Sequence, residues 1–98
     1  MKRQRLNLQQ LFSLGNIVAT PAALEAMTDA GINPLSLLRR HAAGDWGDLD
    51  AEDKTENDFS LTRYLRILSS YKLPTGDKVW IITEADRSAT TFLLPSDY

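Results

Sequence analysis

Residues 65–95 read LRILSSYKLPTGDKVWIITEADRSATTFLLP, and the fold turns on how this stretch is divided. Leu73-Pro74-Thr75-Gly76 has the chemistry of a type I turn followed by glycine in the left-handed position. A three-residue hairpin loop of that kind sets Tyr71 opposite Val79, Ser69 opposite Ile81 and Ile67 opposite Thr83. It also sets Arg66 opposite Glu84, a cross-strand charge match that favours this register. A second loop from Ala85 to Ser88 then brings Thr90 opposite Thr83 and Phe92 opposite Ile81. The stretch therefore predicts a three-stranded antiparallel meander.

Side chains alternate across such a ribbon. One face carries Ile67, Ser69, Tyr71, Val79, Ile81, Thr83, Thr90, Phe92 and Leu94, and is the better core wall. The other mixes Trp80, Ile82, Leu68 and Leu93 with Arg66, Lys72 and Glu84. A wholly solvated face does not normally hold a tryptophan among aliphatics. This second face is thus expected to be covered by the N-terminal arm, shared in a dimer, or used to bind a partner.

Upstream, Thr20-Pro21 and Asn33-Pro34 repeat one device: a capping side chain, then proline where no helical donor is lost. Two short helices follow, one ending near Gly31 and the other near Gly44. A third helix is predicted over about 50–64, with Asp50 as its cap and Lys54 paired to Asp58. Its Phe59, Leu61, Tyr64 and Leu65 are expected to dock its C-terminal half on the core while the acidic half projects. Residues 15–20 suggest one further short strand. The expected class is α+β: two or three short N-terminal helices packed on one face of the meander, forming a single domain over 14–98 behind a flexible basic arm, 1–13.

The chain has 98 residues, a hydrophobic fraction of 43% and a net charge of -2, which suits one modest core. No run is long and apolar enough for a membrane span or a secretory signal, so a cytoplasmic protein is expected. The absence of cysteine and the single histidine exclude disulfides, thiolate sites and a multi-histidine zinc site. Asp45, Asp48, Asp50 and Asp53 lack the spacing of a calcium loop. No cofactor motif is present, and neither metal nor cofactor is expected. The charge is uneven. Lys2, Arg3 and Arg5 form a basic head, whereas residues 45–58 hold seven acids against one lysine. That stretch repels phosphate and suits a basic protein surface; a solvated helix face is the plainer reading.

Three groups of residues invite a chemical reading. His41, at a helix end, is the natural acid or base near neutral pH, with Asp45 or Asp48 to orient it; a helix-capping histidine is the alternative. Gly44-Asp45-Trp46-Gly47-Asp48 is either a corner plugged by its own tryptophan or a loop presenting Asp45 and Trp46 to a ligand. Around the second loop gather Arg66, Glu84, Asp86 and Arg87 with the hydroxyls of Ser69, Thr83, Ser88, Thr90 and Thr91. His41, Glu84 and Arg66 or Arg87 could serve as base, acid and cation of a metal-independent ribonuclease. They are equally explained by a cross-strand ion pair and ordinary turn chemistry.

The strings RRHAAGDWGDL and LRILSSYKLPTGDKVWIITEADRSATTFLLPSDY, with NIVATPAAL, resemble a family of short bacterial proteins carried on plasmids and integrated mobile elements. The likeness covers about residues 14–98 and rests on the motifs GDWGDL and WIITEADRSATT. It implies the setting of a mobile-element accessory factor, in defence, counter-defence or a toxin-like role. The order of elements also resembles the RelE and barnase-type ribonuclease toxins, a likeness of fold from which no activity follows.

Two functional expectations result. The first is a small interaction protein that meets a protein partner or a second copy through Trp80, Glu52 and Glu56, with Asp45, Trp46, Asp86 and Arg87 as further contacts. The second is a ribonuclease of toxin type, acting on RNA through His41, Arg66, Glu84 and Arg87.

Overall fold

The computed structural model describes residues 10–98. In chain order these form β1 (Asn16–Ala19), α1 (Pro21–Asp29), α2 (Pro34–Ala42), α3 (Ala51–Arg63), β2 (Ile67–Lys72), β3 (Lys78–Thr83), β4 (Ala89–Leu93) and a 3-10 turn, Pro95–Asp97. The basic head and the first part of the expected arm lie outside the described residues.

Each helix starts where its capping chemistry requires. The Thr20 hydroxyl accepts from the Ala23 N–H at 3.1 Å, Asn33 Oδ1 accepts from Leu35 at 2.9 Å, and Asp50 Oδ1 accepts from Asp53 at 2.8 Å. Each such cap stabilises its helix by about 1 kcal/mol. α3 ends on Tyr64, held at φ 53°.

The hairpins follow the predicted register: Ile67 faces Thr83, Ser69 faces Ile81, Tyr71 faces Val79, Thr83 faces Thr90 and Ile81 faces Phe92. The turn between β2 and β3 is closed by the Gly76 N–H on the Leu73 carbonyl at 2.8 Å.

The sheet itself is larger than a meander. It has four strands in the order β1-β4-β3-β2, and β1 runs parallel to β4 with Val18 beside Thr91. Two strands this far apart in sequence share no turn, so no local signal marks their pairing. The short strand at 15–20 is present, but as a full member of a mixed sheet.

The helices do not share one location either. Residues of α1 and α2 (Ala23, Ala26, Met27 and Leu37) close over Tyr71, Leu73, Val79, Ile81 and Phe92 to make the core. α3 lies instead along the free edge of β2. Its buried residues are Asn57 and Ser60, while Phe59 and Leu65 are each 46% exposed and Tyr64 is 67% exposed. The expectation that an apolar C-terminal half would dock on the core is therefore reversed. The physical reason is the edge itself: Asn57 Nδ2 donates to the Leu68 carbonyl at 2.6 Å and its Oδ1 accepts from the Leu68 N–H at 3.2 Å. One carboxamide thus stands in for a missing neighbouring strand.

On the outer face of the sheet, Ile82 and Leu93 are buried and Trp80 is half-buried. The C-terminal turn reaches this face. Asp97 accepts from the Thr20 hydroxyl at 2.7 Å and from the Leu94 N–H at 2.9 Å. Tyr98 then meets Trp80 edge-on, with ring centroids 5.8 Å apart. No helix among the described residues is long and apolar enough to cross a membrane.

Candidate functional site

His41 sits in the last turn of α2 and is fully buried. Its Nδ1 lies 2.6 Å from Ser69 Oγ, and its Nε2 lies 2.9 Å from Thr83 Oγ1. Thr83 Oγ1 is 2.7 Å from Thr90 Oγ1, which donates to the Leu14 carbonyl at 2.7 Å. That last bond fixes the donors from Thr90 back to His41 Nε2, and the burial-lowered pKa of the ring leaves Nδ1 without a proton. Thr90 has spent its hydrogen, so it accepts from Thr83; Thr83 therefore accepts from His41 Nε2–H. Nδ1 keeps a lone pair and accepts the Ser69 hydroxyl. His41 is thus a neutral imidazole with the proton on Nε2, and burial lowers its pKa from 6.5 to about 3.

A strap before β1 seals this network. The Leu11 N–H donates to the Ala42 carbonyl at 2.8 Å. The Phe12 ring stands edge-on to His41 with centroids 5.3 Å apart, and lies 6.2 Å from Trp46. Gly15, at φ 63°, then passes against the Ser88 backbone so closely that any Cβ would collide with it. Residues 11–13, part of the expected arm, therefore lie on the domain.

Arg87 completes this corner. It is almost fully buried, and its backbone is left-handed at φ 63°. Its guanidinium donates to four carbonyls: Leu65 at 2.7 Å, Glu84 at 3.1 Å, Ala85 at 3.2 Å and Ser60 at 3.0 Å. The Ser60 and Leu65 oxygens lie at the end of α3, where a cation complements the helix dipole. The rings of Phe12 and Tyr64 flank it at 5.7 and 5.3 Å.

The GDWGD loop is a second clamp on the edge of β2. Trp46 is 3% exposed, and its indole N–H donates to Asp58 at 3.0 Å. Asp58 is thereby used by the tryptophan, and the expected Lys54–Asp58 pair does not form; Arg40–Asp45 is the ion pair found among the described residues. Ser70 donates to the Trp46 carbonyl at 3.2 Å and accepts from the Asp48 N–H at 2.6 Å. The Asp48 carboxylate accepts from the Lys72 N–H at 2.6 Å. Gly47 makes this approach feasible, because at φ 78° a Cβ would strike the Ser70 carbonyl and the Tyr71 ring. Asp45 bonds Arg40 at 2.7 Å, which lowers its pKa, and its own carbonyl accepts from the Tyr71 hydroxyl at 2.6 Å. Neither Asp45 nor Asp48 orients the His41 ring, whose two nitrogens are taken by hydroxyls.

Of the residues proposed for catalysis, His41 and Arg87 both pack against Phe12 but are buried with their polar atoms engaged, whereas Arg66 and Glu84 lie elsewhere. His41 lies on the inner face under Phe12. Arg66 lies on the outer face, beside a cleft of about 220 Å³ shared with Leu68, Trp80, Ile82 and Tyr98. The cross-strand ion pair of Arg66 with Glu84 is absent. Their strand positions match, but Arg66 Nη1 donates to the Tyr98 hydroxyl at 2.6 Å instead. Glu84 is exposed, and Asp86 is exposed in the turn, where it accepts from the Ser88 N–H at 2.9 Å.

Two of the expected binding residues do share an open surface. Glu52, Thr55, Glu56 and Phe59 recur at intervals of three and four along α3 and line a shallow depression of about 370 Å³. Arg63 lies over the Phe59 ring, 4.6 Å from its centroid. Trp80 belongs to the separate outer-face cleft, while Trp46 and Arg87 are interior.

Sequence reasoning missed Asn57 and Phe12. The first had a faint signal, a polar residue spaced three from Ser60 and four from Leu61 on one face of the helix. The second had none, because a phenylalanine in a polar leader is not distinguishable from loose chain. Among the described residues no three histidine or acidic side chains converge as metal ligands. In comparisons with protein-family models, curated proteins and solved structures, the chain matches none.

Proposed function

We propose that this chain is a protein-binding module that docks a basic partner on the outward face of α3. One observation carries the reading: α3 is fastened by its polar residues Asn57 and Ser60, and so holds Phe59 outward between carboxylates. A helix normally turns its aromatic residues to the core. Here Phe59 sits in a depression with Glu52 and Glu56, and Tyr64 and Leu65 beyond the helix end are exposed as well. An aromatic anchor with two acids on the turns before it suits a cationic surface that also has an apolar pocket. The rigidity of the mount supports this, since the edge of β2 is held by Asn57, Trp46 and Asp48. In the setting implied by the resemblance, the partner would belong to a host or mobile-element system engaged in defence or counter-defence.

The ribonuclease reading gains no support from the geometry. His41 has both nitrogens engaged and no exposure, and Arg66 lies across the sheet from it.

The test uses the full chain as bait in host extract, at low and high salt, with Glu52→Lys/Glu56→Lys and Phe59→Ala as comparison baits. A captured protein would be identified, purified and titrated by calorimetry. Binding weakened at least tenfold by each variant, and by salt for the charge pair, is the expected result. Equal affinity for all three baits would overturn the proposal.

A further inference from the structure

The two edges of the sheet are treated differently. Along β2, every outward backbone group at Leu68 and Ser70, and the N–H of Lys72, has a partner from α3 or the GDWGD loop. Along β1, the N–H groups of Asn16 and Thr20 go to the Ser88 and Phe92 carbonyls of the β4 side. By strand parity Val18 also faces β4, so Ile17 and Ala19 turn their N–H and C=O groups away from the sheet. Among the described residues nothing meets them. Ile17 is 46% exposed and Val18 48% exposed. The edge carries no charge and no proline within the strand, the devices that normally discourage edge pairing.

We infer that β1 pairs antiparallel with β1 of a second copy, about a twofold axis at Val18, joining two four-stranded sheets into one of eight strands. The edge is complementary to itself in only this register. With Val18 opposite Val18, Ile17 of each copy lies opposite Ala19 of the other, and each such pair exchanges two main-chain hydrogen bonds. Centring on Ala19 instead would place Ile17 opposite Pro21, which has no N–H. Centring on Ile17 would place Ala19 opposite Gly15, whose backbone has left the strand at φ 63°. A one-residue slip would oppose Ile17 to a residue whose groups already face β4. The uncharged edge meets its twin without repulsion. Val18 also continues the outer-face row of Thr91, Ile82 and Leu68, so the row runs unbroken across the axis. Three paired residues on each copy bury less than the roughly 800 Å² per partner of a standard stable interface, so the dimer dissociates on dilution. This inference is independent of the α3 surface.

The test is sedimentation equilibrium of the full chain over a concentration series. The apparent mass should rise from the 11.0 kDa monomer toward twice that value. Val18→Lys should hold it at monomer mass, and Leu35→Lys, on a still more exposed site of α2, should not. Because the chain has no cysteine, Val18→Cys adds a single thiol at the axis, where side chains of a non-hydrogen-bonded pair stand close. It should form a disulfide-linked dimer under mild oxidant, whereas Ile17→Cys, opposite Ala19, should not. Monomer mass at every concentration reached would overturn the inference, whether the edge is empty or reserved for another protein's strand. Equal cross-linking of both cysteine variants would overturn the register.

Discussion

Lowering the pH from 7 to 5 should destabilise this protein through one residue. His41 is neutral in the fold, its pKa lowered by burial to about 3 from 6.5. In the unfolded chain it gains a proton near pH 6.5, so between these values the unfolded state binds more protons and stability falls with pH. Working from the two values, the loss between pH 7 and pH 5 is about 2 kcal/mol, and reaches about 4 kcal/mol by pH 3. A chain of this length has a total stability of about 5–15 kcal/mol, so the effect is large. The depressed carboxyls of Asp45, Asp86 and Asp97 act in the same direction but only below their ordinary value of 3.8, which leaves the window from 7 to 5 to His41. Urea unfolding followed by circular dichroism should show the midpoint dropping by about 1–2 M between these pH values. His41→Gln should be weaker at pH 7 and nearly flat over the same interval. Should that variant fail to fold, the His41 ring resonances of the native protein should stay unshifted down to pH 5, with the proton on Nε2. A ring titrating near 6.5, or equal slopes in the two proteins, would refute the assigned network.

Other perturbations test the remaining joints. Arg87→Ala removes donors from four carbonyls at the end of α3 while leaving a non-glycine residue at positive φ, and should cost about 3 kcal/mol; Arg87→Lys should recover only part, as read from thermal unfolding. Asn57→Ala strips both partners from Leu68, costing about 2–3 kcal/mol, and should speed amide exchange along α3 and β2 before the core. Gly47→Ala forces a Cβ into the Ser70 carbonyl and should weaken the native state more than Gly76→Ala, whose added Cβ meets nothing. Acrylamide should quench a variant retaining only Trp80 far more than one retaining only Trp46, the latter being 3% exposed.

Local structure was legible from the residues in order. Caps at Thr20, Asn33 and Asp50 placed three helix starts, and turn chemistry at Leu73–Gly76 with period-two alternation placed the hairpins residue for residue. These signals involve neighbours in the chain or across a tight turn, so the information is written nearby. Tertiary structure alone decided which distant groups meet. The parallel union of β1 with β4, the polar docking of α3 by Asn57, the strap with Phe12 and the gathering of carbonyls by Arg87 each join segments with no shared turn or period. The same holds for His41: a histidine at a helix end reads as a candidate base until hydroxyls from two strands occupy both its nitrogens. A residue's chemistry depends on its solvent and hydrogen-bond partners, and both are set by packing. What the sequence did offer, the acids of residues 45–58, became a candidate surface only because the edge of a strand demanded Asn57 and turned Phe59 outward.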